Sequence, residues 1–307
     1  MAYTGTARTY GLPGWRRPAH RPGVLAQHDP RRGADQLGRA VRRGAVGVHL
    51  PVWADHHGGL FVGTPGSRPL GRTVRAAVLE PLLRRIAAVG GRVQPDTDAP
   101  FELLLELPGD PAEPAAAARA YRLLAAQLQD HAAILTRWTG RELVPGPVTV
   151  TLIGALSPRS LLDAAQPRCA FASGTFDDLG AGPAPPHLAP LVGEQWSWRF
   201  GWDGREPIPP EERHLLAALV AQAHAEGRRV CFFGVPERPR RVRAAFWSEL
   251  TAAGVDVVGV RRVPRSARWG SRWFGRAAGR PGRAHRGGMH TRRHHAGVFD
   301  EQMVNGV

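Results

Sequence analysis

The fold is decided by the stretch PEERHLLAALVAQAHAEGRRVCFFGVPERPRRVRAAFWSELTAAGVDVVGV (residues 210–260). It contains two short apolar runs rich in β-formers, RRVCFFGV (228–235) and VDVVGV (255–260), each preceded by a longer segment with helical periodicity. A Pro stands near the start of each helical segment and a Gly at its end, as is usual at helix termini. Strands that are apolar on both faces and connected by helices form parallel sheets covered on both sides. The stretch therefore predicts an α/β fold.

The same alternation extends over most of the chain. Strands are predicted at residues 23–27, 45–53, 101–107, 147–154, 169–173, 191–196, 228–235 and 255–260. Helices are predicted at residues 33–44, 73–91, 111–138, 158–165, 210–227 and 238–254. Eight strands in about 240 residues, with no GxGxxG motif after the first, favour a (β/α)8 TIM barrel over an open doubly wound sheet.

Charge is distributed unevenly and divides the chain into three parts. The net charge is +15 and every basic residue is Arg, but residues 33–260 are nearly neutral, whereas residues 261–307 carry 11 Arg and two acids. We expect an irregular basic segment at 1–22, a barrel at 23–263 and a disordered Arg-rich tail at 264–307. Such a tail favours nonspecific binding of polyanions through counterion release, and it lacks the aromatic platform of a specific nucleic-acid site.

The cysteines and the N-terminus bear on the cellular compartment. Cys169 and Cys231 lie in short apolar runs, so we expect buried free thiols rather than a disulfide or a metal site. The first residues contain no apolar signal-peptide core, and no window reaches the length of a membrane span. A cytoplasmic protein without a transmembrane segment is expected, with secretion as the alternative if the start codon lies elsewhere.

Residues 25–82, which contain LAQHDP, VHLPVW, LFVGTP and GRTV, resemble the first third of the phospholipase C-like phosphodiesterases. Bacterial relatives of the altered inheritance of mitochondria protein 6 family are the most similar, with the motifs H-N-D-Y, V-E-A-D-V-W and L-V-x-H-D. Residues 190–239 and 252–260 resemble the family's later stretches, including A-H-x-x-G-R and A-G-V-D-L-I-N-T-D. The resemblance covers residues 24–260 and implies a barrel of the glycerophosphodiester phosphodiesterase superfamily, with its site at the carboxyl ends of the strands.

The resemblance implies a phosphoric diester hydrolase mechanism in which two histidines serve as general base and general acid. The position of the first histidine is matched by Gln27 and that of the second by Thr64, with Pro65 replacing the Asp that follows it. Neither Gln nor Thr exchanges protons near neutral pH. Whether the chain is an enzyme is therefore in question, and hydrolysis by the family mechanism is not expected.

The family also holds Ca²⁺ or Mg²⁺ through carboxylates and an Asn. The Asn matches His28, the Asp after it is retained as Asp29, and the Glu-x-Asp pair matches His49 and Pro51. A carboxylate on the third strand is retained as Glu106. With most oxygen ligands replaced, we expect a degenerate site with no resident cofactor, in a pseudoenzyme that binds a phosphate or a lipid headgroup at the barrel mouth.

Two other functions are compatible with these residues. In the first, His28, Asp29, His49 and Glu106 form a substitute site for an active metal-dependent phosphodiesterase, since two His and a carboxylate suit Zn²⁺ or Fe²⁺. The competing interpretation makes His49 a packed barrel residue and His28 a rim residue. In the second, the barrel is a scaffold whose basic tail binds nucleic acid or anionic membrane.

Four further residues are candidates for ligand binding. Arg72 and Arg159 match Arg positions of the family and suit a phosphate. Trp196 and Trp198 fall in EQWSWRFGW, which the resemblance places at the mouth after the sixth strand. The alternatives are surface positions for the arginines and core or lid packing for the tryptophans.

Overall fold

The computed structural model describes residues 22–27, 35–64, 72–97, 99–108, 114–154 and 159–263. Within these ranges lie eleven strands, which in chain order are β1 (Gly23–Ala26), β2 (Gly47–Ala54), β3 (Leu60–Val62), β4 (Phe101–Glu106), β5 (Arg137–Trp138), β6 (Leu143–Val144), β7 (Val148–Ile153), β8 (Phe171–Gly174), β9 (Leu191–Gln195), β10 (Arg229–Phe233) and β11 (Val257–Val260).

Seven α-helices lie in the same ranges: α1 (Gln36–Arg42), α2 (Glu80–Ala88), α3 (Pro114–Gln129), α4 (Arg159–Ala164), α5 (Trp196–Arg199), α6 (Pro210–Ala225) and α7 (Arg240–Ala253). A π-helical turn at Arg75–Leu79 leads into α2. The helices of the described part of the chain are too short or too polar to cross a bilayer.

Eight strands close into a parallel barrel. The order of hydrogen-bonded neighbours is β1-β11-β10-β9-β8-β7-β4-β2, and β1 pairs with β2 as well as with β11. Every one of these pairs is parallel, while β3 pairs antiparallel with β2 at the edge. The predicted (β/α)8 barrel is confirmed, and the eight predicted strands are the eight strands of the barrel.

Along each barrel strand, successive side chains point alternately toward the barrel centre and toward the surrounding helices. The centre contains an apolar layer drawn from five strands, whose members are Leu25, Leu104, Leu191, Cys231 and Val257. The larger outer cluster packs the opposite strand faces against the helices. Both cysteines are buried and free, as predicted, and burial raises the pKa of the Cys231 thiol to about 12.

The predicted helix at 111–138 is wrong at its end. The helix α3 stops at Gln129, and β5 pairs antiparallel with β6. Backbone bonds explain the difference, since Thr136 donates to Val148 at 2.8 Å and Trp138 exchanges two bonds with Arg168 at 2.9 Å. Pairing with neighbouring segments here outweighs the local helical pattern. The segments at 1–21 and 264–307 lie outside the described residues.

The amino-terminal end of the barrel is closed by an ion pair across its interior. Arg229 on β10 pairs with Glu102 on β4, from the opposite side of the barrel, and the Glu102 side chain is fully buried. Burial lowers the pKa of Arg229 to about 10, so the guanidinium is still charged at neutral pH. A buried pair of this kind stabilises the fold only while both partners are present.

Replacing Arg229 with Met leaves the Glu102 carboxylate buried without its partner. We predict that Arg229→Met lowers the free energy of unfolding by about 3 to 5 kcal/mol, measured by urea denaturation. The double variant Arg229→Met/Glu102→Leu removes both charges and is expected to recover most of that loss. A single variant as stable as the wild-type protein would contradict this role of the pair.

Candidate functional site

The carboxyl ends of the eight barrel strands lie at one end of the barrel. We call this end the mouth. In (β/α)8 barrels this end carries the functional groups, because loops of variable sequence follow each strand there. Gln27 follows β1, His49 and Pro51 lie in β2, and Glu106 is the last residue of β4. The barrel thus brings together four positions that the sequence singled out.

His49 and Glu106 form a hydrogen-bonded pair at the mouth. The strands β2 and β4 are parallel neighbours, with His49 opposite Leu104 and Pro51 opposite Glu106. The His49 Nε2–H donates to Glu106 Oε2 at 2.9 Å, and the imidazole is 15% exposed while the carboxylate is 47% exposed. The Glu106 carboxylate therefore orients a histidine.

Gln27 lies beside the centre of the mouth. Its backbone N–H donates to the Val260 carbonyl at 2.8 Å, and its own carbonyl accepts from Gln36 Nε2 at 2.8 Å. A Cβ on Gly259 would lie 2.5 Å from the Phe233 ring and 3.4 Å from the Gln27 side-chain carbonyl carbon. The absence of a side chain at Gly259 allows Phe233 and Gln27 to pack together over β11.

The other described positions that were matched to catalytic or metal-binding groups supply neither an acid-base group nor a carboxylate. Pro51 places a ring next to Glu106, and Thr64 is an exposed residue just beyond β3. Among the residues that the structure describes, no three His, Cys, Asp or Glu side chains are arranged to hold a metal ion. His28, Asp29 and Pro65 lie outside the described residues.

Arg159 binds a buried carboxylate of the protein. Its Nη1 and Nη2 donate to the two oxygens of Asp178 at 2.9 and 2.8 Å, and Nη2 also donates to the Ser173 carbonyl at 3.0 Å. Asp178 in turn accepts from the Thr175 backbone N–H at 2.8 Å. The arrangement fixes the loop that follows β8.

The two tryptophans of α5 differ sharply in their surroundings. Trp196 is 3% exposed, stacks on Phe200 at a centroid distance of 4.2 Å, and donates its indole N–H to the Trp202 carbonyl at 2.9 Å. Trp198 is 70% exposed. Arg72, half-buried, uses its backbone carbonyl to accept from the Val62 N–H at 2.9 Å. Trp196 is thus a core residue, as one of the two alternatives had it.

A second ion-pair network, which no sequence pattern indicated, ties the turn after β8 to β9 and α5. Glu194 is 4% exposed and accepts from Arg199 Nε at 2.7 Å, from Arg199 Nη2 at 2.8 Å and from the Phe176 backbone N–H at 3.0 Å. Arg199 also donates to Asp177 at 2.6 Å. Hydrogen bonds to Glu194 and Asp177 raise the pKa of Arg199 above its already high value. No motif in the sequence marks Glu194 or Asp177 as partners of Arg199.

A cleft rich in arginine opens between the end of β1, the helix α1 and the segment that follows β11. We call it the rim cleft. Its lining consists of Ala26, Gln27, Gln36, Arg39, Ala40, Arg43, Arg261 and Val263. Because its cationic residues come from distant parts of the sequence, no local pattern indicated it.

Comparisons with solved structures find several chains with distant similarity to this one. A putative glycerophosphoryl diester phosphodiesterase from Silicibacter pomeroyi is 16% identical with a TM-score of 0.45, over 84% of this chain and 95% of that one. A glycerophosphoryl diester phosphodiesterase domain from Mycobacterium tuberculosis is 16% identical with a TM-score of 0.44, over 81% and 99%.

A glycerophosphodiester phosphodiesterase from Parabacteroides distasonis is 12% identical to this chain, with a TM-score of 0.43, over 79% of this chain and 93% of that one. No family model and no curated protein matches the sequence. The assignment of the fold comes from the strand pairing described above.

Removing the Arg159 side chain leaves Asp178, whose side chain is 2% exposed, without its charged partner. We predict that Arg159→Ala lowers the free energy of unfolding by about 2 to 4 kcal/mol in urea denaturation. Arg205→Ala is the matched control, because Arg205 pairs with Asp203 on the open surface and its loss should cost less than about 1 kcal/mol. Equal stability of the two variants would contradict a structural role for Arg159.

Proposed function

We propose that this chain is a barrel of the phospholipase C-like phosphodiesterase superfamily that does not hydrolyse diesters by the family mechanism and instead binds a phosphate-containing ligand at its mouth. The observation that carries the proposal is the hydrogen bond of 2.9 Å between His49 and Glu106. It occupies the place where the resemblance calls for a metal held by carboxylates.

The loss of acid-base groups supports the first part of the proposal, which is that the chain does not hydrolyse diesters by the family mechanism. Gln27 stands beside the mouth centre, where the resemblance calls for a general base, and a carboxamide does not exchange protons near neutral pH. Thr64, at the position of the second histidine, has no titratable group either. General acid-base catalysis is worth about 10²- to 10⁴-fold for each group, so losing both removes most of the rate enhancement.

The described residues do not fit Ca²⁺ or Mg²⁺. These hard cations require several oxygen ligands, with octahedral geometry in the case of Mg²⁺. Of the positions that the resemblance assigns to the metal within the described residues, Glu106 supplies an oxygen, His49 supplies nitrogen and Pro51 supplies no ligand atom. The one carboxylate is already hydrogen-bonded to the imidazole. No catalytic step is therefore assigned to a metal.

Cationic and aromatic groups around the mouth support the second part of the proposal, which is that a phosphate-containing ligand binds there. Without a metal, a phosphate is bound by N–H donors, and guanidinium groups suit its geometry. The rim cleft supplies three arginines, and Gln27 belongs to both the cleft and the mouth. Of the ligand-binding candidates from the sequence, Arg72 and the exposed Trp198 are retained as candidates for ligand contact, whereas Arg159 and Trp196 are assigned to support of the loops.

The pair His49–Glu106 also gives a specific reason to test the alternative of an active enzyme with a substitute site. A carboxylate that orients a histidine is an arrangement used for general bases. In that alternative, His28 and Asp29 complete the site.

A metal-screened activity assay separates the two functions. We expect the purified full chain to give no turnover of bis-p-nitrophenyl phosphate or glycerophosphodiesters above the buffer rate with Ca²⁺, Mg²⁺, Mn²⁺ or Zn²⁺. Turnover that is lost in His28→Ala and in Glu106→Ala would overturn the proposal and establish the active enzyme. Arg84→Gln, an exposed change on α2, controls for a contaminating hydrolase, since it should leave genuine turnover unchanged.

A further inference from the structure

We propose that the contact between His187 and Arg168 is an acid-sensitive switch, in which protonation of His187 releases the turn 185–188 from the hairpin formed by β5 and β6. The contact lies at the amino-terminal end of the barrel, because Arg168 comes just before β8 and His187 just before β9. It is therefore at the opposite end from the mouth and does not depend on the ligand proposed there.

The hydrogen bond from Arg168 fixes the protonation state of His187. Arg168 Nη2 lies 3.1 Å from His187 Nδ1 and also donates to the His187 carbonyl at 2.9 Å. A guanidinium has only N–H donors and stays charged in proteins, so His187 Nδ1 is the acceptor and carries no proton. The closed contact therefore requires a neutral imidazole.

His187 is enclosed by an aromatic ring and a buried cation. Its imidazole stacks on the Trp138 indole of β5, with ring centroids 4.5 Å apart and planes 8° from parallel. Arg168 is 3% exposed, and its Cζ lies 5.7 Å from the centroid of the Trp138 ring. Arg168 Nε and Nη1 are buried without a hydrogen-bond acceptor among the described residues. The buried cation therefore relies on His187 for its side-chain hydrogen bonds.

Protonation of His187 places two cations in contact. An imidazolium carries a proton on Nδ1 and cannot accept from Arg168, and the repulsion between the two charges is weakly screened in a buried place. Attraction between the imidazolium and the Trp138 ring offsets only part of this repulsion, because the same ring already faces the Arg168 guanidinium. The protonated imidazole is therefore expected to leave the ring for solvent.

The charged groups around His187 favour its neutral form. Burial and the charge of Arg168 lower the pKa of His187, while Asp163 on α4 opposes them from an exposed position where solvent screens its charge. Tyr121 on α3 and Cys169 beside Arg168 remain neutral in acid, since burial raises the pKa of both. Acidification therefore changes the charge of His187 and leaves these two neighbours unchanged.

The closed contact weakens as the pH falls. Because the pKa of His187 is lowered in the closed contact, this form binds fewer protons than the open one. Its stability is complete above the usual histidine pKa of about 6.5 and is lost as the pH falls from there through the lowered pKa of His187.

Arg228 confines the change to the turn. It is 2% exposed and donates to the carbonyls of Ala184 at 2.7 Å and Ala189 at 2.9 Å, on either side of the turn 185–188. These bonds join a guanidinium to backbone oxygens, so they do not titrate between pH 5 and pH 8. We therefore expect the turn to separate from Trp138 in acid while the barrel strands keep their pairing.

The test compares the wild-type full chain with His187→Asn and with a control, His214→Asn. The Asn side-chain oxygen can accept from Arg168 but does not titrate, whereas His214 is an exposed residue of α6. Urea denaturation at pH 8 and pH 5 gives the unfolding equilibrium constant of each protein. Hydrogen–deuterium exchange at the same pH values, corrected for the intrinsic effect of pH on exchange, compares residues 135–139 and 185–189 with α6.

We expect the change from pH 8 to pH 5 to raise the unfolding equilibrium constant of the wild type and of His214→Asn about tenfold more than that of His187→Asn. Protection of residues 135–139 and 185–189 is expected to fall at pH 5 in the wild type and to persist in His187→Asn, with α6 unchanged in both.

Equal pH dependence of unfolding in the three proteins would overturn the proposal. So would a loss of protection in acid that extends equally to α6, since this would indicate global destabilisation. If His187→Asn does not fold, exchange in the wild type decides by itself, because equal protection of residues 185–189 at the two pH values contradicts the switch.

Discussion

The parallel pairing of β1 with both β2 and β11 is the constraint on which the rest of the structure depends. It closes eight strands into a ring, and closure fixes which residues of each strand face the centre. With the register of β2 against β4 also fixed, His49 and Glu106 meet at the carboxyl end of the barrel. A slip of one residue in β2 would turn His49 toward the helices and expose the opposite set of side chains to the centre.

The two ends of the barrel differ in how their charged side chains are paired. At the amino end, Arg229 and Glu102 form an ion pair across the buried interior. At the carboxyl end, the buried acids Asp178 and Glu194 are each satisfied by an arginine. Glu106 is hydrogen-bonded to His49, and no three His, Cys, Asp or Glu side chains in the described part of the chain are arranged to hold a metal ion.

Much of this architecture could be predicted from the sequence, because eight short apolar runs alternate with segments of helical periodicity. The meeting of His49 and Glu106 was foreseeable too, since they belong to consecutive parallel strands of the predicted barrel. Other features depend on contacts between distant segments. The rim cleft joins Arg39 and Arg43 to Arg261, some 220 positions away along the chain.

Two further features could not be predicted from the sequence, although the residues that define each one are close together in the chain. Trp196 and Trp198 are two positions apart in one turn of helix, yet one is buried in an aromatic cluster and the other is open to solvent. Only the direction in which α5 leaves β9 decides between them, and no composition encodes that direction. Similarly, the end of α3 was misplaced because the bonds of residues 136–138 to Val148 and Arg168 compete with a good helical pattern.

We propose that His49 and Pro51, which stand where the resemblance calls for carboxylates, leave the mouth without a divalent-cation site. Calcium titration of the full chain by calorimetry tests this claim most directly. The predicted result is no stoichiometric binding at millimolar Ca²⁺. One ion bound per chain, with affinity lost in Glu106→Ala and kept in Arg84→Gln, would contradict it.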